Sequence, residues 1–254
     1  MKRTSPKSLI YTLGFFARII AGLRRFRRRK ASFGILLMQL YFTFVQALGL
    51  IALLGTGIGT AVIAMATPFL AAISKENLLY PLIVAIITRE LGPLLVAFIV
   101  IARSATAIAT EIAGMVISNE IEAYISIGVD PVEHLAAPRF LGVTISLFLL
   151  NIYFSIFGLG CAALLAHSFM PNFTFFTFSD GLMQVLTLGD ILISMVKSLI
   201  FGMIISTLAI TRGFAVERAS TEIPVAGLKA VTSSFAGCIV VNALLTILYY
   251  KALA

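Results

Sequence analysis

Between Ala31 and Ser74 the chain runs for 44 residues without one charged side chain. Nothing else in the sequence restricts the fold as much, because a stretch this long and apolar must lie in hydrocarbon or inside other protein. Further uncharged runs cover 140–179, with His167 counted as neutral, and 230–250; apolar stretches broken by isolated charges cover 77–110 and 190–211. A helical span takes about 20 residues, so four to six spans fit. A β-barrel would need short segments of alternating hydropathy, and these runs do not alternate. Only 12% of the residues are charged and the mean hydropathy is +1.05, whereas a soluble domain is about one-quarter charged. The predicted class is an all-α integral membrane protein.

The formal net charge of +8 is local: residues 1–30 carry ten Lys and Arg and no acid, leaving 9 basic against 11 acidic residues in the rest. That distribution does not describe a nucleic-acid surface. It marks the N-terminal side as cytoplasmic by the positive-inside rule. Leu9, Leu13, Phe16, Ile20 and Leu23 recur at three- and four-residue spacing among Arg18, Arg24, Arg25 and Arg28. The pattern predicts an interfacial amphipathic helix; the plainer alternative is a basic tail that only sets topology. The chain therefore divides into a basic interfacial segment, 1–30, and a transmembrane domain, 31–254. The apolar run after the basic segment is too long for a signal peptide, so the first span is expected to be retained. The leading segment is poor in Ser and unlike a transit peptide, which favours a bacterial inner membrane over a plastid envelope.

Residues 31–74 are about twice what one upright helix needs. They form either a surface portion followed by one tilted helix, or a hairpin. A hairpin would place Arg212, Arg218 and Lys229 outside, so positive-inside counting selects the single span. Five spans then follow, with 113–139 and 212–229 cytoplasmic and 75–77, the Phe-rich 166–189 and the C-terminus outside. Gly55 and Gly59 have the GxxxG spacing that lets backbones approach in a bilayer; as a phosphate loop the segment lacks the following Lys. Cys161 and Cys238 fall in spans and read as small buried apolar side chains.

Charges inside spans cost about 2.5–3.5 kcal/mol each on insertion scales and usually have partners. Arg89 and Glu90 fall about mid-bilayer in the second span, 78–112, and adjacent side chains about 100° apart on a helix cannot simply pair with each other. They form either a structural ion pair with other helices or the polar floor of a substrate cavity. Pro93 is predicted to kink this span. Lys197, about two turns into the fourth span, either snorkels outward or faces the same cavity.

The stretch after the second span holds Glu120, Ile121, Glu122, Tyr124 and Ile125, then Gly128 and Asp130-Pro131. It predicts a short helix over 118–127, N-capped by Ser118, stopped by Gly128, and presenting an apolar and acidic face to a partner. The alternative is a solvated loop. Chemistry of other kinds is missing from the sequence: there is no GxxxxGK[ST], no HExxH, no GxSxG and no paired Cys, and His134 and His167 stand alone. No catalytic residue, resident metal or cofactor is expected.

Several short motifs in order, Arg89-Glu90-Leu91-Gly92-Pro93, Ala102-Arg103 through Thr110-Glu111, Glu120-Ile121-Glu122-Ala123, Gly128-Val129-Asp130-Pro131 and Pro138-Arg139, resemble the MlaE/YrbE family over roughly residues 35–252. These are permease subunits of ABC lipid transporters that work with Mce-domain proteins. The resemblance implies a homodimer with five spans per chain and a coupling helix that docks a cytoplasmic ATPase, which holds the ATP and Mg²⁺. It implies a phospholipid pocket using Arg89, Glu90 and Lys197, with Asp190 near its rim, and hinge or packing roles for Gly92, Pro93, Gly55 and Gly59. The acidic coupling segment departs from relatives and implies a more basic groove on the ATPase. An ion-coupled carrier or a non-transporting scaffold are the competing readings.

Overall fold

The structure, a computed structural model, describes residues 9–26, 30–72, 78–169, 175–217 and 219–253. The features expected at Arg28, Lys75-Glu76-Asn77, Pro171, Phe173 and Arg218, and the side chains of Leu9, Arg24, Arg25, His167 and Phe169, lie outside the described residues. Among those described, every regular element is a helix. Five helices are long and apolar enough to cross a membrane, at Phe33–Leu70, Leu79–Ile117, Val132–Leu165, Leu188–Phe214 and Glu222–Lys251. The chain is an all-α membrane protein.

The first span takes the non-hairpin form. α1 (Leu9–Phe26) and α2 (Lys30–Thr43) precede a short 3₁₀ turn at Val45–Ala47, and α3 (Leu48–Ala72) completes the crossing. The second span is continuous but irregular: α4 (Leu79–Val84), a π-helical turn at Ala85–Leu91, α5 (Gly92–Val100), a second π turn at Ile101–Ala105, and α6 (Thr106–Ile117). Pro93 enters this helix in the first turn of α5, directly after the first π turn. The irregularity thus takes the form of a widened turn, which re-routes the hydrogen bonds that a proline interrupts. α7 (Glu120–Ser126) follows; then a π turn at Val132–Ala136 opens α8 (Ala137–Phe169). α9 (Phe175–Val185), α10 (Leu188–Phe214) and α11 (Glu222–Leu253) complete the chain. The third and fifth spans begin 8 residues earlier than the charge pattern places them, with Arg139 and Lys229 inside the helices. Arg139 is paired with Glu111 there, and Lys229 lies 3.7 Å from Glu222 one helical face along, so neither charge ends its helix.

α8 is the central post, packed by α3 on one side and α10 on another, while α11 lies against α10 and α6. Phe154 of α8 and Phe201 of α10 are fully buried at this junction. Spans one and three meet at glycine: a Cβ on Gly59 would collide with the Gly158 carbonyl, so the two backbones touch. In a bilayer, where apolar side chains gain nothing by leaving lipid, such close approach is what holds helices together. α1 packs across the end of the bundle, with the ring of Phe15 5.6 Å from Phe214 and that of Phe16 5.9 Å from Phe140. Leu53, Met65 and Phe69 on α3 and Leu244, Ile247 and Leu248 on α11 are exposed and form an outward apolar belt.

Candidate functional site

The site is built where the second, fourth and fifth spans meet. Pro93 has no N–H, so the carbonyl of Arg89, four residues earlier, lacks its usual α-helical donor. Lys197, on α10, fills that gap: its Nζ donates to Arg89 O at 2.9 Å, to a Glu90 carboxylate oxygen at 3.0 Å and to Thr246 Oγ1 at 2.9 Å. The Thr246 hydroxyl in turn donates to Glu90 at 3.1 Å, and Asn242 Nδ2 reaches the same carboxylate at 3.4 Å. The Lys197 side chain is only 1% exposed, which excludes outward snorkelling, whereas Glu90 is 33% exposed. The anion is the partner that still faces outward.

Arg89, one residue earlier, points elsewhere. Its Nη1 lies 3.3 Å from Asp190 Oδ1, and its guanidinium sits 4.8 Å from the ring centres of both Tyr249 and Tyr250. Cation–π contact of this kind compensates a guanidinium removed from water. Asp190 also completes a capping box at the start of α10: Thr187 Oγ1 accepts from Asp190 N, and the Asp190 carboxylate accepts from Thr187 N at 3.0 Å. One aspartate therefore starts the fourth helix and holds the second. Tyr249 OH adds a hydrogen bond to Asp190 Oδ1 at 3.4 Å.

Arg89, Glu90, Lys197 and Asp190 thus come together, and the two adjacent charges are paired separately, as their angular separation requires. Gly92 is beside them, where a Cβ would lie 2.6 Å from Ile87 O and 3.3 Å from Asn151 Oδ1, so a larger residue would require movement. Gly55 and Gly59 belong instead to the contact between spans one and three. The sequence reading missed Asn242, Thr246, Tyr249 and Tyr250. Their spacing in an otherwise apolar run, i, i+4, i+7 and i+8, places them along one helix face and was the available signal.

At the other end of the second span, α7 is a separate short helix. Ser118 does not cap it: the hydroxyl donates to Met115 O and to Glu120, and the cap position is Asn119 at φ 61° with no side-chain cap bond. The turn needed to redirect the chain by so much after α6 uses a left-handed residue, which Asn tolerates. Gly128 does stop the helix. Its φ is +76°, and Val129 N donates to Tyr124 O at 2.9 Å while Gly128 N donates to Ile125 O at 3.0 Å, a Schellman pair. Asp130 Oδ1 accepts from Val132 N at 2.9 Å, and buried Pro131 leads into the next helix. The apolar face is divided: Ile121 and Tyr124 are half-buried, with Tyr124 5.4 Å from the His134 ring, while Ile125 and Ile127 are exposed alongside Glu120 and Glu122. No residue of α7 is fully buried.

The family model of the permease MlaE matches residues 36–248, from α2 to the polar face of α11. The chain belongs to the MlaE permease family. It is a multi-pass membrane permease, and every charged residue of the site falls within the matched region. A probable ABC transporter permease protein of Rickettsia typhi is 27% identical over 217 residues, 85% of this chain and 83% of that relative. The intermembrane phospholipid transport system permease protein MlaE of Haemophilus influenzae is 27% identical over 187 residues, 73% of this chain and 71% of the relative. The chloroplastic protein TRIGALACTOSYLDIACYLGLYCEROL 1 of Arabidopsis thaliana is 24% identical over 249 residues, 97% of this chain and 71% of that one. In this MlaE-family permease the matched region stops one residue before Tyr249, so the two rings that hold Arg89 lie just beyond it.

Proposed function

We propose that this chain is the membrane-spanning subunit of an ABC transporter that moves phospholipid between a bacterial inner membrane and a periplasmic Mce-domain assembly, maintaining outer-membrane lipid asymmetry. It acts as a homodimer with its N-terminus in the cytoplasm, and a separate ATPase binds the ATP and Mg²⁺. The observation that carries the reading is the buried double ion pair on the second span. Arg89 keeps Nε and Nη2 without hydrogen-bond partners among the described residues, a donor pair suited to a phosphate, and the outward-facing Glu90 carboxylate suits a headgroup amine. The names of the Haemophilus and Arabidopsis relatives support a lipid substrate, and the permease names support an ATPase partner. A second copy is supported by the fifth span, whose apolar part is only 11% buried within one chain, against 50% for the second span.

Work would enter through α7. Closure of the ATPases presses on Ile125 and Ile127, the Ser118–Asn119 turn passes the movement to α6, and the second span carries it about 40 Å to Glu90 at helical rise. The π turn and Pro93 beside Glu90 are where that helix can change its hydrogen bonding most easily. The pocket then narrows and releases its lipid outward. The test is phospholipid-coupled ATPase activity in a reconstituted complex. Replacing Glu122 and Tyr124 together by Ala is expected to lower coupling about tenfold, the loss of one good interfacial contact. Unchanged coupling in an intact complex would sink the proposal, and lipid movement driven by a pH gradient without the ATPase would replace it with an ion-coupled carrier.

A further inference from the structure

A cavity of about 810 Å³ opens on the second span nearer its α6 end. It does not include Arg89, Glu90, Asp190 or Lys197. Its polar lining is Arg103, Glu111 and Arg139, faced by Gln39 and Gln46 of the first span. Ser104, Thr110 and Tyr124 add uncharged polar groups, and the rest of the wall is apolar, with Ile35, Met38 and Phe42 of α2 opposite Ile108, Met115 and Leu135. A cleft that joins two guanidiniums and a carboxylate to a mainly apolar wall matches an amphiphile better than a soluble metabolite.

The ionic part is short of negative charge, with two guanidiniums against one carboxylate. Arg139 Nη2 donates to Glu111 Oε1 at 2.6 Å, and the Arg139 side chain is 4% exposed, yet its buried Nη1 has no acceptor among the described residues. A buried guanidinium N–H without an acceptor is unfavourable, and an anionic oxygen entering from the cleft removes the deficit. Arg103 is already oriented: Nη1 donates to Gln46 O at 2.8 Å and Nη2 to Gln46 Oε1 at 3.2 Å. Planar forks held in this way suit the oxygens of a phosphate. The level is that of a lipid headgroup, because Arg139, Arg212 and Lys229 end the uncharged runs of three spans on this side of the bundle. Met38, Tyr41 and Phe42, exposed on α2, continue the apolar wall toward the bilayer.

We infer that this cleft binds the phosphate of an anionic phospholipid drawn from the adjacent leaflet, as a site separate from the one proposed at Glu90 and Lys197. It rests on the proposed orientation only for which leaflet supplies the lipid, the cytoplasmic one. Arg139 and Arg103 take the phosphate, Glu111 holds Arg139 in place, and the acyl chains follow α2 into the membrane.

The experiment uses the full-length chain in nanodiscs containing phosphatidylglycerol with a photoreactive group near the headgroup, followed by mapping of labelled peptides. Label is expected on 34–46 and 103–115. It should fall about tenfold in Arg103→Gln, the loss of one charge-assisted contact, and similarly in Ala107→Trp, which fills the cleft without changing charge. Label on 242–250, from lipid at the site proposed around Glu90 and Lys197, should persist in both variants and shows that they fold. Absence of label on 34–46 and 103–115 in the unaltered chain, or label that neither variant reduces, overturns the inference. So does an Ala107→Cys crosslink between two copies that excludes lipid, which would assign the cleft to a second chain. ATP-driven transfer is a separate readout: if it fails while cleft labelling persists, the transport reading fails and this one stands.

Discussion

Two buried cations sit at opposite ends of the second span's contacts, and their surroundings differ in one respect. Lys197 uses all three of its N–H bonds within the chain, on Arg89 O, Glu90 and Thr246. Arg139 gives one N–H to Glu111 and leaves Nη1 buried without an acceptor among the described residues. In both pairs the carboxylate is the more exposed partner, 33% for Glu90 and 53% for Glu111. The difference lies in the number of acceptors that the converging helices supply. Around Lys197 the fifth span adds a hydroxyl and the proline-freed carbonyl adds an acceptor, so the cation is satisfied before any ligand arrives. Around Arg139 the pair with Glu111 is completed by no further acceptor among the described residues, and the cleft beside it is open. A closed ion site is complete within the chain; an open one leaves a donor unused.

The comparison can be broken most sharply at Lys197. Lys197→Met is expected to destabilise the protein by about 3 kcal/mol, because it strands the Glu90 carboxylate among groups that offer only weak donors. Thermal unfolding in detergent, followed by loss of monodisperse protein, reads this directly; a loss under about 1 kcal/mol would show that the site is not closed as described. Arg139→Met should cost less, about 1 kcal/mol in the same assay, because half-exposed Glu111 can be solvated once released. Equal losses at the two positions would erase the distinction. Tyr249→Phe is the finest probe. Its hydroxyl makes one long hydrogen bond of 3.4 Å to Asp190 while its ring still covers Arg89, so about 0.5 kcal/mol is expected. A larger effect would assign the hydroxyl a bigger share in holding Asp190 than the ring.

Much of the site was readable along the chain because charge in hydrocarbon is rare and costly. Arg89, Glu90 and Lys197 stood out for that reason alone. Asp190 was recognised through family resemblance, and the Thr187-x-x-Asp190 capping pattern was a local signal that the reading passed over. Asn242 and Thr246 escaped notice because uncharged polar residues in a span are ordinary, and only their common helix face distinguishes them. Ser118 looked like a cap because its residue type is right; the left-handed Asn119 took that position once the chain had to turn sharply between α6 and α7.

The sequence by itself determined the membrane class, the number of spans and the position of the short helix α7. These follow from uncharged length, from charge asymmetry and from Gly and Pro punctuation, all of which are local. Only the tertiary structure decided which charges meet. Arg89 and Asp190 are about a hundred residues apart in the chain, as are Glu90 and Lys197, and a choice among partners at that separation depends on which helices pack side by side. Packing also decided what Pro93 does. Its missing N–H is a property of the residue, but that Lys197 supplies the donor depends on α10 lying against that turn of the second span.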